Sequence, residues 1–298
     1  MAQILDNNMN RSAENLLLPP EISNEIWSKV EESSAIIQLG SKVPVTGVGR
    51  EWQILEGELE AEWVDETDEK PISTMEFGTK KMTPYNVAVI IPFSNQFRRD
   101  AANLYAEIIR KAPEALSRKF DRTVFGFFDA PGENFDTLKD ITEVDVETNG
   151  IWNGLVETDM QISNADGILD GWVITPQLKS KLLTAMDNNN RPLFIDSMNT
   201  QNNVASLMGH PTYVRKYLHQ AGGSGKGETL GYAADWSNLY WGTVGNVSMS
   251  IADQATLNIG GQQVNLWQRN MFAARFEVEF ACILREPDQF VRLTGKAS

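Results

Sequence analysis

The sequence predicts a protein of the α+β class, and three patterns support this prediction. Acidic and apolar residues alternate from residue 52 to residue 64, which is the period of a β-strand. Apolar residues recur every three or four positions from Phe97 to Phe127, which is the period of a helix. Alternation returns over residues 272–284. With 298 residues, the chain is long enough for one large domain or two ordinary ones.

The beginning of the chain is interpreted as an arm that ends in a short amphipathic helix. Ile22, Ile26 and Val30 recur at helical spacing after two prolines. An extended segment then runs from residue 43 to residue 93, and nine carboxylates lie within residues 51–69. This segment predicts a long two-stranded hairpin. Because a lone hairpin is marginally stable in water, it needs a neighbour in its own subunit or in another chain.

The next element is the strongest helix pattern in the sequence. Ser94 is a candidate N-cap. Pro113 lies inside the pattern, and its missing N–H predicts a kink, or a break with Pro113 as the first residue of a new helix. The basic residues of this stretch lie mostly off the apolar stripe: Arg98, Arg99, Arg110, Lys111, Arg118, Lys119 and Arg122.

The second half of the chain is predicted to contain a mixed α and β domain between about residues 135 and 267. An acidic, weakly patterned segment leads to a short strand at 171–176, a helix at 177–186 and a turn at 187–192. The remainder is rich in strand patterns, at residues 247–251, 272–284 and 290–293.

The net charge of −14 is unevenly distributed along the chain. Residues 1–90 hold 16 acidic and 7 basic side chains and residues 131–176 hold 10 and 1, whereas residues 91–130 hold 5 and 7. Since phosphate binding depends on Lys and Arg, this distribution argues against sequence-specific binding of DNA. No apolar run is long enough to span a bilayer and residues 1–11 lack a secretion signal, so we expect no membrane association and a cytoplasmic origin.

Residues that carry chemistry are scarce. Cys282 is the single cysteine and is interpreted as a buried small apolar residue, and the two histidines, His210 and His219, have no carboxylate or thiol at ligand spacing. The glycine-rich segment at 222–229 lacks the first glycine and the final Ser or Thr of a phosphate-binding loop. Paired glutamates in the hairpin could serve as acid and base, but so dense a row is better explained as a solvated or partner-facing edge. We therefore predict no catalytic residue, no metal site and no cofactor.

Four motifs occur in a fixed order along the chain: Ala61-Glu-Trp-Val-Asp-Glu-Thr-Asp-Glu-Lys-Pro-Ile-Ser; Asp121-Arg-Thr-Val-Phe-Gly-Phe; Gly171-Trp-Val-Ile-Thr-Pro with Arg191-Pro-Leu; and Arg275-Phe-Glu-Val-Glu-Phe with Pro287-Asp-Gln-Phe-Val-Arg-Leu-Thr. In this order and spacing they resemble the major capsid proteins of tailed bacteriophages with the Hong Kong 97-type fold. The resemblance runs from about residue 16 to residue 293.

The resemblance implies a division of the chain into named parts. Residues 1–48 would be the N-terminal arm and residues 49–83 the extended β-hairpin loop. Residues 84–134, with the spine helix, and residues 268–298, with the returning strands, would form the peripheral domain, and residues 135–267 the axial domain. The implied function is that of a major capsid protein, which self-assembles into pentamers and hexamers of an icosahedral head around double-stranded DNA. The implied location is the virion, after assembly in the cytoplasm of the host bacterium.

Contacts between subunits would come from complementary charge between the acidic loop and the basic spine. The candidate contact residues are Trp52, Glu58, Glu60, Glu62, Trp63, Lys70, Arg98, Arg99, Arg118, Lys119 and Arg122. The implied partners are copies of the chain itself, a portal and a decoration protein, and a separate scaffold protein if one is used, because the resemblance begins only near Leu16. Packaged DNA is expected to be held without sequence-specific binding.

Some members of this family join a loop lysine to an asparagine of a neighbouring subunit with the help of a buried glutamate. Lys70 falls at the matching loop position and Asn265 lies near the partner position, but Ala273 or Ala274 stands where the glutamate would be. Without that general base, the reaction lacks its proton acceptor. We therefore predict a shell without isopeptide crosslinks.

Two alternatives stay open at this point. An encapsulin-type compartment would have the same fold and would hold enzyme cargo, but encapsulins use a shorter and differently placed loop, so the long acidic loop favours the phage. The other alternative is a cytoplasmic enzyme of unknown class, since a chain without recognisable motifs can hide a remote active site.

Overall fold

The computed structural model describes residues 30, 33–56, 63, 76–100, 102–148, 150–186, 206–223 and 227–296. The first described helix, α1 (Ala35–Leu39), is capped by Ser34, whose hydroxyl accepts from the Ile37 N–H at 3.1 Å. A two-residue strand follows, β1 (Ser41–Lys42). The amphipathic helix predicted upstream lies almost wholly outside the described residues, as does the turn predicted at 187–192.

The predicted hairpin is present where it joins the body of the protein. Its strands β2 (Arg50–Glu56) and β3 (Glu76–Met82) pair antiparallel, from Arg50 opposite Met82 to Glu56 opposite Glu76. Met82 is buried in a small apolar cluster with Val45 and Ile283. The base of the hairpin is therefore anchored to its own subunit.

Two consecutive helices form the predicted helical segment, α2 (Asn95–Asp100) and α3 (Ala102–Val124). Ser94 Oγ accepts from the Gln96 N–H at 3.3 Å, as expected of an N-cap. The prediction that a new helix starts at Pro113 is wrong, because α3 is continuous through this proline. Pro113 removes one backbone hydrogen bond from a helix of 23 residues, and the burial of the apolar side chains around it outweighs that loss.

A five-stranded sheet is built around one long strand, β14 (Met271–Leu284). β4 (Tyr85–Ser94) pairs antiparallel along one edge of β14. β10 (Leu239–Thr243) and β11 (Ser248–Ala252) pair antiparallel with the other edge, one after the other, and β1 pairs parallel with β10. The predicted alternation at 272–284 is thus confirmed as the central strand of a sheet.

A small hairpin lies between β11 and β14. Its strands β12 (Thr256–Ile259) and β13 (Gln262–Asn265) pair antiparallel across a two-residue turn. Gly260 and Gly261 in this turn have φ of 60° and 84°. Two consecutive positive φ angles are what the tightest hairpin turns require, and glycine adopts them without strain.

The second sheet has six strands. In spatial order they are β5 (Thr142–Asp145), β15 (Phe290–Thr294), β9 (Thr229–Ala234), β6 (Gly171–Ile174), β8 (His210–Val214) and β7 (Ser206–Leu207). Every residue of β6 and β9 is buried, because the sheet is covered on both faces. Helices α4 (Ile151–Asn164) and α5 (Pro176–Thr184) pack their apolar sides against this sheet and form an apolar core with it.

The acidic segment that looked weakly patterned contains both β5 and α4. Its helix was not predicted because apolar residues lie on two sides of it. Leu155 and Ile162 are buried, whereas Trp152, Val156 and Met160 are exposed on the outer side. An amphipathic helix is recognised by apolar residues that recur on one side only, so apolar residues on both sides hide this pattern.

Each of the two sheets contains strands from inside and from outside residues 135–267, the range expected for the axial domain. β10 and β11 come from the expected axial range but lie in the five-stranded sheet. β15 comes from the expected peripheral range but pairs with β5 and β9 of the six-stranded sheet. The turn at Pro287–Gln289 separates β15 from β14, and Val291 and Leu293 complete the core of the second sheet.

One apolar core joins the two sheets along α3. Phe120 of α3 stacks on Phe280 of β14, with ring centroids 4.3 Å apart. Phe125, just past the end of α3, packs 4.6 Å from Tyr232 of β9, and the Tyr232 hydroxyl donates to the Phe125 carbonyl at 2.8 Å. The spine helix α3 therefore packs on the first sheet and touches the second at its C-terminal end.

Candidate functional site

Among the predicted contact residues, Trp52 is one whose neighbours in its own subunit are described. It is half-buried at the base of the hairpin, where its ring meets that of Tyr240 edge to face at 4.9 Å. The Arg50 guanidinium lies 5.4 Å from the Trp52 ring. Trp52 therefore helps to hold the hairpin against β10 of its own subunit, and it also lines a cavity of about 680 Å³.

Trp63 is the one residue between 57 and 75 that the structure describes, and its side chain is fully exposed. Full exposure is expected of a side chain that contacts a neighbouring subunit only after assembly. The side chains of the other loop candidates and of the two arginines in α2 lie outside the described part of the chain: Glu58, Glu60, Glu62, Lys70, Arg98 and Arg99. The acidic row on the loop therefore stays a prediction.

The basic candidates on α3 lie near its C-terminal end. Arg118 and Lys119 are exposed and Arg122 is half-buried. The Lys119 ammonium lies 3.3 Å from the centroid of the Phe128 ring, and the Arg122 guanidinium lies 5.0 Å from the same centroid. Within the described ranges, these two cations contact aromatic rings rather than carboxylates.

Asp121 is a buried polar centre that sequence reasoning missed. It lies in the last turn of α3, and its carboxylate accepts from the Ser34 hydroxyl at 2.5 Å, from the Ala35 N–H at 2.7 Å and from the Tyr217 hydroxyl. Burial raises the pKa of Asp121 to about 6, although these hydrogen bonds and the charge of Arg215 act in the opposite direction. Three parts of the chain thus meet at one carboxylate.

A second polar cluster joins distant segments around Lys181 of α5. The Lys181 ammonium contacts the carboxylates of Glu147 and Glu228, and His219 Nε2 lies 3.0 Å from Glu228 Oε2. The hydrogen bond from Lys181, and then that from His219, holds the pKa of Glu228 below its usual value. Burial lowers the pKa of Lys181, but its hydrogen bonds to the two carboxylates outweigh burial and the pKa is raised.

His219 therefore has a carboxylate partner that its spacing in the sequence did not indicate. Among the residues with described positions, no three His, Cys, Asp or Glu side chains are grouped so as to hold a metal ion. Cys282 is buried, as predicted, and burial raises the pKa of its thiol. A buried thiol in the protonated form is a poor nucleophile.

Of the positions that the resemblance associates with crosslinking, the structure describes those of the asparagine and of the missing glutamate. Asn265 is half-buried at the end of β13, and its side-chain oxygen accepts from the Gln268 N–H at 3.1 Å. Ala273 and Ala274 are buried in β14. Lys70 lies outside the described residues.

Comparison with known proteins decides the family. The model of the phage capsid family matches residues 14–295 of the 298-residue chain. The chain belongs to the phage capsid family. The predicted α+β fold of a phage capsid subunit is thereby confirmed, and members of the phage capsid family are part of the virion head. In the part of the chain that the structure describes, no helix is both long and apolar enough to cross a membrane.

Members of the phage capsid family that resemble this chain come from several phages. The probable major capsid protein gp17 of Mycobacterium phage L5 is 30% identical, over 93% of this chain and 89% of the relative. The probable major capsid protein gp17 of Mycobacterium phage D29 is 28% identical, over 94% of this chain and 91% of the relative. As a phage capsid protein, the chain assembles into shells with copies of itself.

Solved structures with the same fold also come from phages. A chain from Mycobacterium phage Adephagia matches with a TM-score of 0.71 at 22% identity, over 89% of this chain and 91% of that chain. A chain from Microbacterium phage Oxtober96 matches with a TM-score of 0.73 at 18% identity, over 88% and 91%. At these identities the two structures show a shared fold over almost nine-tenths of this chain.

Proposed function

We propose that this chain is the major capsid protein of a tailed phage and that it forms the pentamers and hexamers of an icosahedral head around double-stranded DNA. The observation that carries this proposal is the match of the phage capsid family to residues 14–295, almost the full length of the chain. The two similar proteins from phages L5 and D29 are both named as probable major capsid proteins, which supports the same role here.

The Hong Kong 97-type division of the chain belongs to this proposal. The hairpin β2–β3 would be the base of the extended loop, and α3 with the five-stranded sheet would form the peripheral part. The six-stranded sheet would be the axial part, whose tips meet at the centres of pentamers and hexamers. Two sheets and the long helix α3 support this division. In it, β10 and β11 would belong to the peripheral part and β15 to the axial part, because these are the sheets in which they pair.

Contacts between copies would use the charges that the sequence singled out. The carboxylates within residues 51–69 would meet basic residues near the end of α3 in a neighbour. Lys119 and Arg122 support this role because Lys119 is exposed, Arg122 is half-buried, and both contact the ring of Phe128 rather than a carboxylate among the described residues. Reversal of both residues to glutamate should impair shell assembly, and unimpaired assembly of this variant would count against a charge-steered contact.

The chain would work without chemistry of its own. Of the polar clusters around Asp121 and Lys181, the first is buried and the second is a set of ion pairs that join parts of the fold. A portal, a decoration protein and, if one is used, a separate scaffold protein would be further partners. The net charge of −14 would keep the shell from binding the packaged DNA tightly.

Negative-stain microscopy of the purified full chain tests this function against both alternatives. The capsid role predicts large icosahedral shells, empty or filled with DNA. Small shells filled with enzyme cargo would instead support an encapsulin-type compartment, and discrete monomers without any shell would support a soluble enzyme. The family match favours the first result.

A further inference from the structure

The N-terminal part of the chain joins the body of the protein at a buried polar junction. Ser34 Oγ and the Ala35 N–H donate to the Asp121 carboxylate at 2.5 and 2.7 Å, and the Tyr217 hydroxyl donates to the same group. The Tyr217 hydroxyl also lies 3.2 Å from the carbonyl oxygen of Ser33. The start of α1, the last turn of α3 and the segment after β8 therefore meet around one carboxylate.

The donors described at the Asp121 carboxylate are neutral: a serine hydroxyl, a backbone N–H and a phenol. Arg215, in the segment after β8, acts on the carboxylate through its positive charge, while its guanidinium donates to Gln38 Oε1 at 2.8 Å. A fully buried carboxylate is costly to ionise unless a cation pairs with it directly. Burial is accordingly the largest influence on Asp121 and raises its pKa to about 6, although the hydrogen bonds and Arg215 act in the opposite direction.

The other titratable groups that face Asp121 are held in their neutral form. Burial, and then the charge of Asp121, raises the pKa of the Tyr217 hydroxyl. Burial, and then the charges of Asp136 and Asp121, raises the pKa of the Cys282 thiol in β14. On the α1 side of the junction, the side chains of residues 33–40 are uncharged. Asp121 is therefore the group of this junction that gains or loses a proton between pH 5 and pH 8.

The helix α1 has a fixed point about which it can open. The Gly40 carbonyl accepts from Trp241 Nε1 at 3.1 Å, and directly after Gly40 the strand β1 pairs with β10. Before this point, α1 is held by the Asp121 junction and by the burial of Ile36 and Ile37 in the apolar core. Opening exposes these two side chains, so it is a rare local fluctuation whose frequency depends on how strongly the junction holds.

We propose that the Asp121 junction is a pH-sensitive latch, which holds residues 33–39 on α3 while the carboxyl group is protonated and lets them open more often when it is ionised. In the open state water reaches Asp121, and the group ionises at its ordinary pKa of 3.8, whereas in the closed state its pKa is about 6. Closure is therefore favoured most below about pH 4, and this advantage is lost as the pH rises through about 6. Between pH 5 and pH 8 the equilibrium constant for opening should rise about tenfold.

Hydrogen–deuterium exchange of the unassembled full-length chain measures this opening. The reporting amides are those of Ala35, Ile37 and Gly40, whose N–H groups donate to Asp121, to Ser34 Oγ and to the Ile36 carbonyl. Exchange rates are divided by the intrinsic rate at each pH, because exchange itself depends on pH. The protection of these amides should fall about tenfold from pH 5 to pH 8, whereas that of α4, which lies outside the junction, should stay constant.

A substitution that cannot ionise identifies the group responsible. Asp121→Asn keeps the size of the side chain and one acceptor oxygen, so the protection of α1 should no longer change with pH. Asp140→Asn, at an exposed position, is the matched control and should keep the tenfold change. Protection that does not vary with pH in the original chain, or that varies equally in Asp121→Asn, would overturn the latch. An equal fall of protection in α4 would overturn it as well, because the opening would then not be local.

A second variant keeps the proposal testable if Asp121→Asn does not fold. Tyr217→Phe keeps the ring and removes one donor from the carboxylate. Because a hydrogen bond to an ionised group is stronger than one to a neutral group, this loss should increase opening by about tenfold at pH 8 and by less at pH 5. Equal increases at both pH values would overturn the latch. All of these measurements use the unassembled chain, so their outcome is independent of the proposed capsid function.

Discussion

Asp121 accepts a hydrogen bond from the backbone N–H of Ala35 at 2.7 Å, across 86 positions of the chain. This contact fixes the start of α1 to the last turn of α3. Because the Tyr217 hydroxyl donates to the same carboxylate, a segment that follows β8 is held there as well. The position of the N-terminal part is therefore tied to both sheets through one buried group.

Replacement of Asp121 by alanine should lower the free energy of unfolding by about 2 kcal/mol or more, because two buried donors and the half-buried Tyr217 hydroxyl lose their acceptor. Urea denaturation of the unassembled subunit measures this change. Asp140→Ala, at an exposed position, is the matched control and should change stability by less than about 0.5 kcal/mol. Equal stability of the two variants would contradict a structural role for Asp121.

The pKa of Asp121 also predicts how stability varies with pH. Its value of about 6 in the folded protein lies above 3.8, the ordinary value of an aspartate. The folded state thus keeps the proton to higher pH than the unfolded state, so the stability linked to this group is fully present below about pH 4 and is lost as the pH rises through about 6. The full loss amounts to about 3 kcal/mol, since one pKa unit corresponds to about 1.4 kcal/mol.

The pH effect is measured as the difference in unfolding free energy between the original chain and Asp121→Asn, from pH 4 to pH 7. Other titrating groups cancel in this difference, because both proteins share them. The advantage of the original chain should shrink over this interval. A difference that stays constant would mean that Asp121 ionises at its ordinary pKa.

Gly154 of α4 packs directly on the segment that follows β5. A Cβ atom at this position would lie 2.5 Å from the Cα of Val146, closer than real Cβ atoms approach backbone. Gly154→Ala should therefore destabilise the subunit by about 1–3 kcal/mol in thermal or urea unfolding. Gly47→Ala, where a Cβ atom meets nothing within 4 Å, is the control and should stay close to the original chain. Similar unfolding of both variants would mean that α4 packs less closely.

Mature shells should contain no covalent links between subunits. By the resemblance, Ala273 or Ala274, both of which are buried, takes the place of the glutamate that crosslinking members use, so the lysine would lack a general base. Denaturing electrophoresis of boiled particles should give a single band of the monomer, and Lys70→Arg should give the same pattern. A ladder of oligomers that disappears in Lys70→Arg would show that the crosslink forms after all.

The elements with a clear local period were predictable from the sequence. The strand β14 shows this well, because Phe276 and Phe280 alternate with the charged residues Glu277 and Glu279 and are buried where those are not. The long helix was predictable in the same way, except at Pro113. At Pro113 the packing around the helix outweighs the loss of one backbone hydrogen bond. The rule that proline ends a helix considers only the neighbouring residues and does not include this packing.

The features that depend on contacts between distant segments were not predictable. An aspartate on a helix is usually a surface residue, and nothing near Asp121 in the sequence indicates that Ser34, Ala35 and Tyr217 converge on it. The same holds for β15, whose short apolar pattern fits a strand in either sheet. Only the three-dimensional arrangement decides that it completes the six-stranded sheet.

A cryo-electron microscopy reconstruction of shells assembled from this chain tests the proposed capsid function most directly. We expect a closed icosahedral shell of pentamers and hexamers into which the subunit fits with its two sheets and α3 intact, with the six-stranded sheet pointing to the centres of the pentamers and hexamers. Density that the subunit does not fit, or a protein that remains in discrete small oligomers under all assembly conditions, would contradict the proposal.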